Sequence, residues 1–109
     1  IVKAMEADAG KKSIELRVDG GAAASDLLMQ IQSDLFGFKI IRPKTLETTV
    51  MGAAYLAGLA VGYWDSIDDI QSQWEVDKEF YPKAPQEEVD NMLHYWHKAV
   101  KCAQNWIEE

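Results

Sequence analysis

The chain begins with two hydrophobic patterns that follow each other, first one with the period of a strand and then one with the period of a helix. Residues 14–18 alternate between apolar and polar side chains, which predicts a strand with one buried face. After Gly20-Gly21, apolar residues recur at spacings of three and four. This spacing predicts an amphipathic helix that starts at Ala22 and stops at Gly37.

Two further segments flank this pair. Residues 1–8 read as the end of a helix that stops at Gly10, and residues 38–41 predict a second short strand before Arg42-Pro43. The order of helices and strands indicates an α/β unit with a helix-rich C-terminus. Two strands alone make a very small sheet.

The second half of the chain is predicted to be mostly helical. The run from Val50 to Tyr63 is apolar on all sides, which predicts a helix packed on most of its surface. Ser66 is placed to cap a short helix, and residues 75–84 are polar enough to predict a surface loop. From Pro85 a last helix is expected to dock along one apolar stripe, made of Val89, Met92, Leu93, Trp96, Val100, Ala103 and Trp106.

Composition narrows the class of protein. The 109 residues are 48% apolar and carry a net charge of -7, which is typical of a globular domain and argues against a nucleic-acid partner. The longest apolar run is about 15 residues, short of the ~20 that a membrane span needs. The single cysteine, Cys102, cannot form an internal disulfide, which fits the cytoplasm. Because the chain opens on Ile1 without an initiator Met, we expect it to be cut from something longer.

One segment is a candidate ligand site. Gly20-Gly21 follows a strand and precedes a helix, where the backbone can turn sharply and approach a ligand closely. Ligands of α/β sheets collect at the carboxyl ends of strands, where this turn lies. A plain tight turn would have the same sequence, and the spacing matches neither a P-loop nor a dinucleotide fingerprint.

Other candidates are weaker. His94 and His97 are three residues apart on a predicted helix, but they lie off its apolar stripe and no further ligand completes a metal site. Adjacent Asp68 and Asp69 point apart on a helix, so they do not form a carboxylate pair. Cys102 lacks the neighbours of a nucleophile and is expected to be packed.

A longer set of motifs resembles the C-terminal part of the glycerol kinases, which belong to the FGGY carbohydrate kinases. It runs from Leu16-Arg17-Val18-Asp19-Gly20-Gly21-Ala22 through Arg42-Pro43 and Glu47-Thr48-Thr49 to the string Ala54-Tyr55-Leu56-Ala57-Gly58-Leu59-Ala60-Val61-Gly62-Tyr63-Trp64. The match covers nearly the whole chain in order, and that last string is its most specific part. The resemblance implies the second actin-like, ribonuclease-H-like ATPase domain of these kinases, of which residues 1–109 would be the C-terminal portion.

The same resemblance implies that Gly20, Gly21 and Ser25 bind the nucleotide, with the turn against adenosine. The family pattern has Asn where this chain has Ser25, and a hydroxyl is shorter than an amide and lacks its second donor. The implied reaction moves the γ-phosphoryl group of Mg²⁺-bound ATP to glycerol. The catalytic residues and the glycerol pocket would lie in the missing N-terminal part of a cytoplasmic enzyme that is expected to be a homo-oligomer, so the chain alone should be inactive.

Two other functions stay open. The chain could belong to an FGGY kinase that acts on another polyol or sugar. It could also be an interaction domain without catalytic activity, whose Gly20-Gly21 turn binds nothing.

Overall fold

A computed structural model describes residues 1–104 and residue 106 as a mixed helix and sheet structure. Its helices are α1 (Val2–Ala9), α2 (Asp26–Phe36), α3 (Thr48–Ala60), α4 (Ile67–Ser72) and α5 (Gln86–Ala103). Its strands are β1 (Glu15–Arg17), β2 (Lys39–Pro43) and β3 (Val76–Phe80), and a 3₁₀ helix spans Gly21–Ala24.

The sheet has the order β1-β2-β3, with β2 in the centre. β1 runs parallel to β2, with Leu16 opposite Ile40, and β3 runs antiparallel to β2, with Phe80 also opposite Ile40. The parallel pair is joined through α2, as in the α/β unit that the sequence predicted.

The third strand corrects the sequence analysis, which interpreted residues 75–84 as a surface loop. β3 is an edge strand in which only Phe80 is buried, so its four other residues are polar or exposed and give no alternating signal. Ion pairs hold it in register: Lys39 of β2 lies 3.3 Å from Glu79 of β3 and 3.3 Å from Glu15 of β1. Charged side chains are common on edge strands because they discourage pairing with other chains.

The core lies between α2 and the sheet. Ala23, Met29, Ile40 and Phe80 form its buried centre, and Leu16, Val18, Phe36 and Leu46 pack around it. Ser33 is fully buried in α2, and its hydroxyl lies 3.0 Å from the carbonyl oxygen of Phe38 and 3.1 Å from that of Phe80. α2 is thereby attached to the strands by both apolar contact and hydrogen bonding.

The polar side of α2 holds the segment that follows β3. The Asp34 carboxylate accepts hydrogen bonds from the backbone N–H of Lys83 (2.6 Å) and of Ala84 (3.2 Å), and Gln30 donates to the carbonyl of Tyr81 at 2.8 Å. Burial would raise the pKa of Asp34, but these donors outweigh it and lower the pKa below its ordinary value of 3.8. Residues 81–84 are therefore a surface loop, as predicted, fixed by one carboxylate.

The predicted ends of several helices are confirmed. Gly10 follows α1, and Gly37 ends α2 with φ 76°, the left-handed conformation that favours glycine. The Ser66 hydroxyl accepts a hydrogen bond from the N–H of Asp69 at 3.2 Å and caps α4.

The two apolar helices are more exposed than predicted. In α3 only Gly58 is buried, while Leu56 is 71% exposed, so the prediction of a helix packed on most sides is wrong for this chain. α5 buries only Val89 of its predicted stripe, and Trp96 and Trp106, expected to be core anchors, are 65% and 84% exposed. The radius of gyration is 18.4 Å, against about 13 Å for a compact chain of this length, because these helices extend beyond the small core.

Candidate functional site

The candidate site lies at the carboxyl ends of the two parallel strands. The N–H of Val18 donates to the carbonyl of Ile41 at 3.1 Å, which extends the β1–β2 pairing by one residue. The chain then turns at Gly20-Gly21 into the 3₁₀ helix, and α2 begins at Asp26 with Ser25 as its N-cap, four residues after the predicted start at Ala22. The structure thus brings Gly20, Gly21 and Ser25 together at one end of the sheet, as the sequence predicted.

The structure accounts for the two glycines of the turn differently. Gly20 has φ 81° and ψ 168°, a backbone conformation that is essentially restricted to glycine. Its N–H donates to the carbonyl of Leu46 at 2.9 Å, and its carbonyl accepts from Ala23 at 3.0 Å. Gly21 is exposed and is absent from the positive-φ glycines. Apart from its chain neighbours, no atom of the described residues lies within 4 Å of a Cβ built on it. The fold therefore explains glycine at position 20 but not at position 21.

Ser25 serves as the N-cap of α2. Its hydroxyl accepts a hydrogen bond from the N–H of Leu28 at 3.3 Å, and its carbonyl accepts from Met29 at 3.1 Å. The side chain is exposed at the same time. A cap of this kind satisfies one of the N–H groups that a helix start leaves free.

The start of α2 already carries its own negative charge. Asp26 lies in the first turn, where its carboxylate contacts Nη1 of Arg42 at 2.9 Å and Nζ of Lys78 at 2.6 Å. Hydrogen bonds from Lys78 and then Arg42 lower the pKa of Asp26 below 3.8. The positive end of the helix dipole is thus matched by a carboxylate of the chain itself.

Arg42 is a buried charge beside the turn. Its side chain is 11% exposed, and its Nη1 donates to the carbonyls of Ala23 (2.9 Å) and Ala24 (3.1 Å) at the end of the 3₁₀ helix. On the opposite side, Nε and Nη2 bind Asp77 of β3 at 2.8 and 2.7 Å. Burial opposes its charge, but the bonds to Asp77 and Asp26 outweigh that effect and raise the pKa of Arg42 above its usual value.

A third set of contacts joins the turn to α3. The hydroxyl of Thr48, the first residue of α3, donates to the carboxylate of Asp19. Together with the bond between Gly20 and Leu46, this contact fixes the turn against the segment between β2 and α3. The cavity beside Thr48 has a volume of about 120 Å³ and includes Tyr55 and Trp74 in its lining.

The remaining candidates stay apart from this site. His94 and His97 are both exposed, and Cys102 is exposed as well, whereas the sequence analysis expected it to be packed. Within residues 1–104 and 106, no group of three His, Cys, Asp or Glu side chains is placed to hold a metal ion. In the same residues, no helix is long and apolar enough to cross a membrane.

Comparison with known proteins identifies the family. Residues 1–61 match the sequence profile of the C-terminal domain of the FGGY family of carbohydrate kinases. The chain belongs to the FGGY family. In keeping with this assignment, it is 63% identical to the glycerol kinase of Dichelobacter nodosus over 109 residues, all of this chain and 22% of that protein. It is 54% identical to the glycerol kinase of Paraburkholderia phytofirmans over 99% of its length, again 22% of the relative.

The fold is that of the FGGY kinases. The crystal structure of Plasmodium falciparum glycerol kinase with ADP superposes with a TM-score of 0.74 at 34% identity, covering 99% of this chain and 21% of that one. The mixed helix and sheet unit is thus part of an actin-like ATPase fold, as predicted. This FGGY chain spans about a fifth of the length of the relatives that it matches.

Sequence reasoning located the turn but missed the residues that hold it. The sequence alone places Arg42 only after a predicted strand and within the family motif, whereas in the structure it lies inside the central strand β2, where a charged side chain needs a partner. Its partner Asp77 could not be recognised without β3. Thr48 was likewise noted only as part of a motif that leads into a helix.

Proposed function

We propose that this chain is the nucleotide-binding portion of a glycerol kinase, in which Gly20, Gly21 and Ser25 contact ATP. Residues 1–109 would then be the C-terminal portion of the nucleotide-binding domain. The full-length enzyme would transfer the γ-phosphoryl group of ATP to glycerol and give glycerol 3-phosphate. The observation that carries the proposal is the identity to glycerol kinases over the whole chain, together with a turn whose second glycine the fold does not explain.

The chemistry of the turn favours the adenosine part of the nucleotide over its phosphates. Gly21, Ala22 and Ala24 are exposed, small and uncharged, which leaves room for a base or a ribose. The start of α2, where a phosphate would otherwise be welcome, is already occupied by the Ser25 cap and the Asp26 carboxylate. The carboxylate of Asp19, which precedes the turn, would also repel phosphate groups.

Several parts of the proposal depend on the rest of the enzyme. The glycerol pocket and the proton acceptor are assigned to the N-terminal part of the same polypeptide, so the chain alone should not turn over ATP. Mg²⁺ is expected to accompany the ATP phosphates, and no residue of this chain is assigned to it. The enzyme would work in the cytoplasm and assemble as a homo-oligomer.

The test is a steady-state assay on the purified full-length protein. ADP release should require glycerol, and xylulose, ribulose and gluconate should be poor replacements at equal concentration. Turnover of one of those sugars in preference to glycerol would assign the chain to another FGGY kinase. Absence of any turnover, combined with absence of ATP binding in a titration of the folded full-length protein, would favour an interaction domain.

A further inference from the structure

Arg42 joins the turn to the sheet through bonds that no other side chain of the described residues makes. Its guanidinium contacts two backbone carbonyls of the 3₁₀ helix, one carboxylate of α2 and one of β3. The planar ring of Phe80 lies under it, 5.3 Å from the Cζ atom. These contacts reach three elements, the 3₁₀ helix, α2 and β3, so the side chain joins the turn to the central strand of the sheet.

The bonds to the carbonyls of Ala23 and Ala24 are the informative ones. A 3₁₀ helix of four residues has few internal bonds, and its last carbonyls need a donor from elsewhere. Arg42 supplies that donor to the carbonyl of Ala23, three residues after Gly20. The bond therefore limits how far the exposed face of Gly21 can move. A planar group with five donors can hold two carbonyls and two carboxylates at once, which an ammonium group cannot.

We infer that Arg42 is a positioning residue for nucleotide binding, which acts by fixing the 3₁₀ helix that presents Gly21. The inference rests on the proposed function, because it assumes that the turn contacts the nucleotide. Arg42 itself need not touch ATP. Its effect on binding comes from keeping the turn in the conformation that the nucleotide meets.

Two variants distinguish a positioning role of Arg42 in nucleotide binding from a role in stability alone. Arg42→Met removes the bonds to the turn, and the variant should fold because Asp26 and Asp77, whose side chains are 54% and 45% exposed, can then be hydrated. Asp77→Asn weakens the bond to β3 but leaves an oxygen that accepts from Nε, so the bonds to Ala23 and Ala24 remain. The second variant therefore lowers stability without releasing the turn.

The matched control is Lys44→Met. Lys44 follows β2 and forms an ion pair with Glu75 at 2.6 Å, in which both side chains are more than 60% exposed. It shares the positive charge of Arg42 and lies at the same end of β2, but its ion pair is with Glu75 and not with the 3₁₀ helix.

The experiment measures both Michaelis constants in the full-length enzyme, together with amide hydrogen exchange of the turn. Arg42→Met should raise the KM for ATP about fivefold to tenfold, which corresponds to about one ordinary hydrogen bond. The KM for glycerol should stay within about twofold, and residues 21–25 should exchange faster. Arg42→Lys should lie between wild type and Met, while Asp77→Asn and Lys44→Met should leave the KM for ATP unchanged.

The inference is overturned if a folded Arg42→Met enzyme keeps its KM for ATP, or if both Michaelis constants rise equally. It is also overturned if Asp77→Asn raises the KM for ATP as much as Arg42→Met does, because stability alone would then explain the change. Should Arg42→Met fail to fold, Arg42→Lys decides the matter on the same two constants. The proposed function is judged separately, on glycerol-dependent turnover by the wild-type enzyme.

Discussion

Replacement of Gly21 by valine in the full-length enzyme separates a ligand role of the turn from a structural one. Gly21 does not have a positive φ, and beyond its chain neighbours no atom of the described residues lies within 4 Å of a Cβ built on it. The folding cost should therefore be that of an ordinary surface substitution, within about 0.5 kcal/mol. By contrast, Gly20→Ala would force a side chain into φ 81°, at a cost of roughly 1–3 kcal/mol.

The effect on nucleotide binding should be larger than the effect on folding. A nucleotide in van der Waals contact with Gly21 would have to move to make room for three added carbon atoms. Overpacking of this kind costs about 1–3 kcal/mol, which corresponds to a rise in the KM for ATP of roughly 5- to 150-fold. The KM for glycerol should change only through coupling between the domains.

Steady-state kinetics at saturating glycerol measure the KM for ATP, and thermal unfolding checks that the variant is folded. Ala7→Val is the matched control, since it adds a branched side chain at an exposed position of α1, away from the turn. A folded Gly21→Val enzyme with an unchanged KM for ATP would refute the reasoning. The turn would then be structural only, and the site assignment would be wrong even though the family is correct.

Three further predictions concern the same chain. Ser25→Ala should destabilise the protein by about 1 kcal/mol through loss of the helix cap, whereas Ser25→Asn keeps a cap and should change the KM for ATP modestly if the side chain faces the nucleotide; thermal unfolding and kinetics measure the two effects. Gly58→Ala should displace Trp64, whose ring occupies the position of the new Cβ, and so change tryptophan fluorescence. Stability should fall as the pH drops below 3.8, the ordinary pKa of Asp34, because the folded pKa is lower and the unfolded chain binds more protons there; urea unfolding of Asp34→Asn should show a smaller loss over this range.

Each of these expectations has a result that would contradict it. Equal thermal stability of Ser25→Ala and wild type would remove the cap as a source of stability. An unchanged emission spectrum for Gly58→Ala would show that Trp64 does not pack on that glycine. Identical acid profiles for Asp34→Asn and wild type would mean that the contacts with Lys83 and Ala84 do not shift the pKa in solution.

The sequence predicted the elements whose signals are local. Gly37 stops α2 and Ser66 caps α4, because each acts on the backbone within a few residues. Residues 14–18 alternate because one face of β1 packs on the core, and the Gly20-Gly21 turn follows from its place after that strand. The general α/β organisation could be predicted from these signals alone.

What the sequence could not predict depends on distant partners. β3 is an edge strand with charged residues and one buried side chain, so its pairing with β2 leaves almost no periodicity. The exposure of α3 and α5 was not predicted. An apolar pattern indicates that a helix packs against another surface, but it does not say which element provides that surface. The role of Arg42 can be recognised only when the structure shows its contacts with Ala23, Asp26 and Asp77.

The central position of β2 has a consequence for synthesis on the ribosome. Lys39 of β2 and Glu79 of β3 form a contact across the two strands and are 40 positions apart in the sequence. One edge of β2 therefore stays unpaired until β3 has been synthesised. At about 5–20 residues per second, that wait lasts roughly 2–8 seconds, whereas helices form in about a microsecond. During this interval the backbone of Ile40 and Ile41 has no partner on the β3 side. An unpaired strand edge of this kind can be bound by chaperones and can pair with other nascent chains. A translational pause between residues 43 and 76 would prolong that exposure, whereas a pause after residue 80 would not.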